Sequence, residues 1–175
     1  MMLALLVVGC AAATSAAAQE TGQIRTAAWA SLGLGKAYLP EGGDIAVHAE
    51  GIYQFGSNIV AVRVASAASI LGAIVNAIFE QAGNIEAHDF AVLFGHATRP
   101  AALYVSAAAG VGMAVVSRDS AGTRTSASHF TVPVEAQLAW RPLHHLGLVV
   151  CGFGSFNGSE RFGGMTFGLQ LGRLR

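Results

Sequence analysis

From about residue 25 onward, apolar and polar side chains alternate with a period of two, and Gly, Pro, Asn, Asp and Ser interrupt the alternation at intervals. Between Ile45 and Phe55 the odd positions are Ile45, Val47, Ala49, Gly51, Tyr53 and Phe55, whereas the even ones include His48, Glu50 and Gln54. Between His129 and Arg141 the even positions are Phe130, Val132, Val134, Ala136, Leu138 and Trp140, against Thr131, Glu135 and Gln137 on the odd side. Met165, Phe167, Leu169 and Leu171 likewise alternate with Thr166, Gly168, Gln170 and Gly172. Successive side chains of an extended chain point to opposite sides, so each segment reads as a strand with one apolar and one polar face. The turn residues divide the chain into eight predicted strands, at about 25–36, 43–55, 58–69, 87–97, 101–117, 127–141, 145–156 and 162–173. Most reach the roughly 9 to 11 residues that a tilted strand needs to cross a bilayer.

The connections sort by parity. Gly56-Ser57, Thr98-Arg99-Pro100 and Pro142-Leu143-His144 are short, while 37–42, 70–86, 118–126 and 157–161 read as longer loops. Short turns on one side and longer loops on the other predict an all-β, eight-stranded, antiparallel, up-and-down transmembrane barrel. Two apolar stretches, 59–79 and 101–116, compete as membrane helices. The first contains Arg63, and the second is shorter than the roughly 20 residues a spanning helix requires. A soluble, lipocalin-like carrier of an apolar ligand is the alternative reading, with the apolar faces turned inward. The direction of Val132, Val134 and Leu138 separates the two.

Composition narrows the picture. The 175 residues suit one domain. A charged share of 11%, against about 25% in soluble domains, excludes a disordered chain. Ten Lys and Arg balance ten Asp and Glu, so there is no basic footprint for a nucleic-acid partner. Residues 1–18 run from apolar to small and end Ala16-Ala17-Ala18 before Gln19, the pattern of a secretory signal peptide, which leaves 19–175 as the barrel domain. No basic residue precedes Arg25, and Val7-Val8-Gly9-Cys10 also fits a lipobox that would acylate Cys10. Once a signal is removed only Cys151 remains, so no intramolecular disulfide is expected. No Cys/His spacing of the zinc-finger type exists, and neither a metal nor a cofactor is expected; Cys151 reads as a packing residue.

An eight-stranded barrel is only just wide enough for side chains to fill, so inward positions must be small or mutually satisfied. Ser106, Ala108, Gly110, Gly112, Gly168 and Gly172 supply small groups, and Glu50, Arg63, Asp89, Glu135 and Gln137 supply an interior polar network. Glycine first in a two-residue loop suits a type II′ hairpin at Gly56-Ser57, which pairs Phe55 with Asn58 and sets Glu50 opposite Arg63. Arg63 bridged to Glu50 and Glu135 then forms a structural plug, with no open pore. Catalysis would need His48 or His129 beside a carboxylate, or a Ser128–His129 pair; adjacent strand residues face opposite ways, and no catalytic residue is expected. His144 and His145, next to Arg141-Pro142, read as solvated turn residues, and His96 and Arg99 as rim residues. Trp29, Tyr38, Tyr53, Phe55, Trp140, Phe156 and Phe162 fall near strand ends and suit interfacial aromatic girdles. In the longest loop Ile70, Leu71, Ile74, Val75, Ile78 and Phe79 repeat at three and four, a helical period that marks a candidate recognition segment. Gly33-Leu34-Gly35 and Gly152-Phe153-Gly154 precede no helix, so they do not bind a nucleotide.

Taken together, these segments resemble the small eight-stranded outer-membrane barrels of Gram-negative bacteria, of the OmpX or OmpA transmembrane-domain type. They are also similar to exported barrels with a Pro-x-Glu-x-Gln strand, an Arg-Pro-Leu turn and a Leu-Gln-x-Gly-basic-Leu-Arg ending, here Pro133 to Gln137, Arg141 to Leu143 and Leu169 to Arg175. The resemblance covers about residues 25–175 and implies an outer-membrane location and contact with outer-membrane lipid. Its motifs are architectural and specify no activity; the barrel reading itself makes the expected role structural or adhesive, with an extracellular or envelope protein partner engaged through the loops at 70–86 and 118–126. Two features depart from the pattern: Arg175 stands where an aromatic insertion signal is common, and Pro133 lies mid-strand, where a bulge or an edge is expected.

Overall fold

The computed structural model describes residues 26–39, 42–68, 85–98, 102–120, 123–157 and 161–173. They form eight strands: β1 (Thr26–Leu39), β2 (Gly42–Phe55), β3 (Asn58–Ala68), β4 (Ile85–Ala97), β5 (Leu103–Ser120), β6 (Thr123–Trp140), β7 (Leu146–Phe156) and β8 (Arg161–Arg173). Each pairs antiparallel with its chain neighbours, and β1 pairs with β8 to close the barrel. Closure leaves no unpaired edge strand, so backbone polar groups are satisfied between strands, as a hydrocarbon surround requires. Among the described residues no helix is long and apolar enough to cross a membrane. The stretches that competed as helices overlap β3 and β5.

Following paired residues once around, from Ala28 through Tyr53, Val60, Phe94, Ala109, Val134, Gly154 and Gly163, returns to β1 at Tyr38, ten positions further on. With a rise of about 3.3 Å per residue and strands about 4.8 Å apart, that stagger tilts the strands by about 40°. The β2–β3 register is the one the turn implies: Phe55 pairs with Asn58 and Glu50 with Arg63. Gly56 has φ 63°, the positive value that the first central residue of a II′ turn needs.

The strand faces sort as the alternation implies. Val132, Val134 and Leu138 point outward, with 52%, 37% and 50% of their surface exposed. Leu32, Leu34, Val62, Phe90, Val92, Phe94, Val111, Met113, Phe130, Phe167 and Leu169 do the same on the other strands. From Phe130 to Trp140 this belt rises about 25 Å along the barrel axis at that tilt, the height of the apolar band on outer-membrane barrels. Inward lie His48, Glu50, Gln54, Arg63, Asp89, Glu135, Gln137 and Gln170, all buried.

Four expectations are corrected. Most of the segments 37–42 and 118–126 is strand: β1 extends to Leu39 and β2 begins at Gly42, while β5 extends to Ser120 and β6 begins at Thr123. Their polar and small residues continue the ladder instead of leaving it. The segment 70–84, with Ile70, Leu71, Ile74, Val75, Ile78 and Phe79, lies outside the described residues, as do the signal segment and Cys10. Tyr38, Tyr53, Trp140 and Phe156 face outward near strand ends, but Trp29 and Phe162 are interior residues at 4% and 7% exposure. Pro133 sits at neither an edge nor a bulge. The β5–β6 ladder simply lapses between the Ala109–Val134 and Gly112–Thr131 pairs and resumes in the same register. His145 is exposed yet fastened to β8, its Nδ1 lying 3.1 Å from the Gly172 carbonyl, which accepts from the ring.

Candidate functional site in the barrel interior

The strand alternation turns polar residues of β2, β3, β4, β6, β7 and β8 onto one axis. At the centre the Arg63 guanidinium, fully buried, donates through Nη2 to Asp89 and to Ser155 Oγ (3.0 Å). Through Nη1 it donates to the Val134 carbonyl at 3.2 Å and to Glu135 Oε2 at 3.5 Å. The Ser155 hydroxyl in turn donates to Asp89 at 2.8 Å, and that of Thr131 adds a longer contact at 3.4 Å. The Gln137 amide donates to both Glu135 (2.6 Å) and Glu50. Further along the axis Gln170 donates to Gln137 at 3.2 Å and accepts from Arg141 Nε at 2.9 Å.

The register pairs Glu50 with Arg63, as the hairpin implies, but their side chains do not bridge. Among the described residues the carboxylates within ion-pair distance of Arg63 are Asp89 and Glu135. Arginine is long enough to cross the narrow lumen to β6 and β7, leaving Glu50 to the Gln137 amide. Of the five residues expected to form the network, the structure brings all into one hydrogen-bonded cluster, with a different pairing inside it. Two carboxylates therefore share the Arg63 guanidinium, and one of them, Glu135, also meets the imidazole of His48, whose Nε2 lies 3.2 Å from Glu135 Oε2. Out of water such charges are tolerable only with partners of this kind.

Sequence reasoning missed the second cation. Arg141 is buried, with its guanidinium carbon 3.7 Å from the Tyr104 ring centre and 4.2 Å from that of Trp29. Trp29 and Tyr104 meet edge to face at 5.2 Å, so a planar cation is held against two rings near the short-turn end. Its odd parity, shared with Glu135 and Gln137, was the available signal; the adjacent Pro142 drew the reading to a solvated turn. Gln54 was also missed; its amide donates to the carbonyls of Gly56 (2.9 Å) and Thr98 (2.8 Å), tying two turns together.

Two other groupings bear chemistry. His48 Nε2, Glu135 Oε2 and Cys151 Sγ all lie within 4.8 Å of one another, and Sγ is 3.8 Å from Nε2. The Ser128–His129 pair does not form, because Ser128 is exposed and His129 half-buried on the opposite face. Instead Ser66 Oγ lies 2.9 Å from His88 Nδ1, on the outward side of β3 and β4 near the end from which residues 69–84 leave.

No protein-family model and no curated protein sequence matches the chain. Solved structures do. Neisserial surface protein A aligns with a TM-score of 0.59 at 11% identity, over 83% of this chain and 96% of that one. The attachment invasion locus protein Ail of Yersinia pestis, in complex with the heparin analogue sucrose octasulfate, aligns at 0.57 and 13% identity over the same shares. The N-terminal β-barrel domain of Pseudomonas aeruginosa OprF aligns at 0.56 and 10% identity, over 86% of this chain and 99% of that one. The chain thus has the fold of the small eight-stranded outer-membrane barrels.

Proposed function

We propose that the protein is a Gram-negative outer-membrane barrel, exported with residues 1–18 as signal peptide, whose interior is filled by side chains and which acts as a structural or adhesive element. The carrying observation is the run of buried contacts along the axis, Arg141–Gln170–Gln137–Glu135–Arg63–Asp89. A lumen crossed by mutually bonded side chains leaves an ion no continuous water path. The outward Leu, Val and Phe belt supports a lipid surround and opposes the soluble carrier, whose apolar side would face inward.

Thr26 and Arg173 lie at the end that carries the Gly56-Ser57 turn, so the segment between β3 and β4 leaves from the opposite end. With the Thr26 and Arg173 end on the periplasmic side, β3 and β4 open outward at Ala68 and Ile85, and the connection between them is the surface offered to an extracellular or envelope partner. The test combines three measurements on one preparation. The chain is expected in the outer-membrane fraction, to shift its gel migration on boiling, and to conduct no ions in planar bilayers. Release with the periplasm, or steady conductance, overturns the reading. Replacing residues 70–84 with a Gly/Ser linker is expected to remove adhesion while leaving the gel shift intact.

One observation favours a second reading, lipid ester chemistry: the outward Ser66–His88 pair has nucleophile-to-base distance, and Glu86 lies two positions away on the same face. Comparing the lipids of cells carrying Ser66→Ala with those of the parent tests it. Identical lipid profiles remove the enzymatic reading.

A further inference from the structure

We propose that His48, Glu135 and Cys151 form a site for one divalent cation of the zinc class. An imidazole nitrogen, a carboxylate oxygen and a sulfur, from β2, β6 and β7, converge although His48 is 87 residues from Glu135 and 103 from Cys151. A tetrahedral zinc ion has bonds of about 2.0 to 2.1 Å to nitrogen, 2.0 to 2.2 Å to oxygen and 2.3 Å to sulfur, which sets neighbouring donors roughly 3.4 to 3.6 Å apart. The separations here are 3.2 Å for nitrogen to oxygen and 3.8 Å for nitrogen to sulfur, with every pair within 4.8 Å. Two of the three separations already stand near coordination distance and the third lies within 4.8 Å, a gap that side-chain rotation on fixed strands can close.

The surroundings hold each donor as an outer shell does. Gln137 occupies the other oxygen of Glu135 at 2.6 Å, leaving Oε2 for the ion. The His48 ring stacks on Phe153, with ring centres 5.8 Å apart and an interplanar angle of 23°. Cys151 is fixed in register opposite Gln137. Arg63 does not block the site: its 3.5 Å contact to Glu135 is its longest, and it keeps Asp89, Ser155 and the Val134 carbonyl when Glu135 turns to a metal.

Charge favours occupation. Arg63 pairs with Asp89 and Glu135 while buried Glu50 beside them meets the neutral Gln137 amide, and a dication bound by a thiolate adds one net positive charge there, the displaced thiol proton leaving to solvent. The mixed sulfur, nitrogen and oxygen set selects a borderline ion over magnesium or calcium, which take oxygen ligands. The fourth position is left to water or to Glu50, held beside Glu135 by the same amide.

The test uses the full chain, refolded in detergent with cobalt(II) as a spectroscopic stand-in for zinc. One cobalt per barrel is expected after gel filtration, with a thiolate-to-cobalt charge-transfer band and the intense visible absorption of a four-coordinate ion, both lost when zinc is added. Cys151→Ser is expected to abolish the charge-transfer band and His48→Ala to abolish stoichiometric uptake, while both still show the boiling shift. Cys151→Ala substitutes should the serine variant not fold. Gln137→Leu, which touches no ion, is expected to weaken binding roughly 10- to 100-fold. A folded wild-type barrel that takes up no cobalt overturns the proposal, as does a charge-transfer band that survives in Cys151→Ser.

Discussion

Replacing Arg63 with alanine removes one fully buried guanidinium that donates to Asp89, Ser155, the Val134 carbonyl and Glu135. Breaking a buried pair from one side costs about 3 to 5 kcal/mol, because the abandoned charge stays out of water. Asp89 would retain the hydroxyls of Ser155 and Thr131, and Glu135 would retain Gln137 and His48, which places the loss near the lower end, about 3 kcal/mol. With a urea slope of about 1 to 3 kcal/mol per molar, the unfolding midpoint in lipid vesicles should fall by roughly 1 to 3 M, read by tryptophan fluorescence and by the boiling shift. The second arm of the cycle is Arg63→Ala with Asp89→Asn, which deletes the stranded charge and keeps an amide for Ser155. Coupling of about 0.5 to 3 kcal/mol is expected, so the double variant should be more stable than the sum of the singles. A midpoint for Arg63→Ala matching the parent's, or strict additivity, refutes the account of Arg63 as the shared partner of two buried carboxylates.

Three more outcomes follow from the geometry. Val134→Arg places a charge mid-belt on the outer face and should cost about 2 to 4 kcal/mol in vesicle unfolding, whereas a water-exposed position would tolerate it. Arg141→Lys keeps the charge but loses the flat stack on Trp29 and Tyr104 and the Nε bond to Gln170; a loss of about 2 kcal/mol, with altered Trp29 emission, is expected, and unchanged unfolding would contradict the stacked assignment. Gly168→Ala sets a methyl group 2.0 Å from the Leu32 carbonyl oxygen across the β1–β8 seam, so destabilisation of at least about 1 to 3 kcal/mol should appear as a lowered boiling-shift temperature.

The strands were legible because the environment is two-sided: lipid outside and a narrow lumen inside force every second residue to change character. The ends of β2 and β3 match the reading at Phe55 and Asn58, since Gly56-Ser57 allows one hairpin geometry. The ends of β5 and β6 do not, because Ser126, which looks like a loop residue, pairs with Ser117 at the end of the fifth predicted strand, their hydroxyls 2.9 Å apart, and the ladder runs on to Ser120 and Thr123. Membership of the polar cluster was legible from parity, but its pairing was not. Whether Arg63 meets Glu50 beside it or Glu135 across from it depends on the ten-residue stagger and the lumen width, which appear only when the sheet closes. Trp29 was assigned to the rim on its aromatic type and its place near a strand end; its neighbours Ala27 and Ser31, both buried, share its inward parity. The meeting of His48, Glu135 and Cys151 likewise leaves no spacing signature, because the donors stand on three separate strands.

The distribution of charge around the cylinder bears on how it forms. Inward positions of β1 carry Ala27, Trp29, Ser31, Gly33 and Ala37, and those of β8 carry Phe162, Gly164, Thr166 and Gln170, none of them ionic. Arg63, Asp89, Glu135 and Glu50 belong to strands that pair in sequence between β2 and β6. β1 and β8 are the most distant partners in the chain, so their joining closes the longest loop. The charged centre around Arg63 can therefore assemble and neutralise itself while the ribbon is still open to water, and the final zippering brings together two neutral margins that leave Arg141, between Trp29 of β1 and Gln170 of β8, as the ion to be dehydrated last.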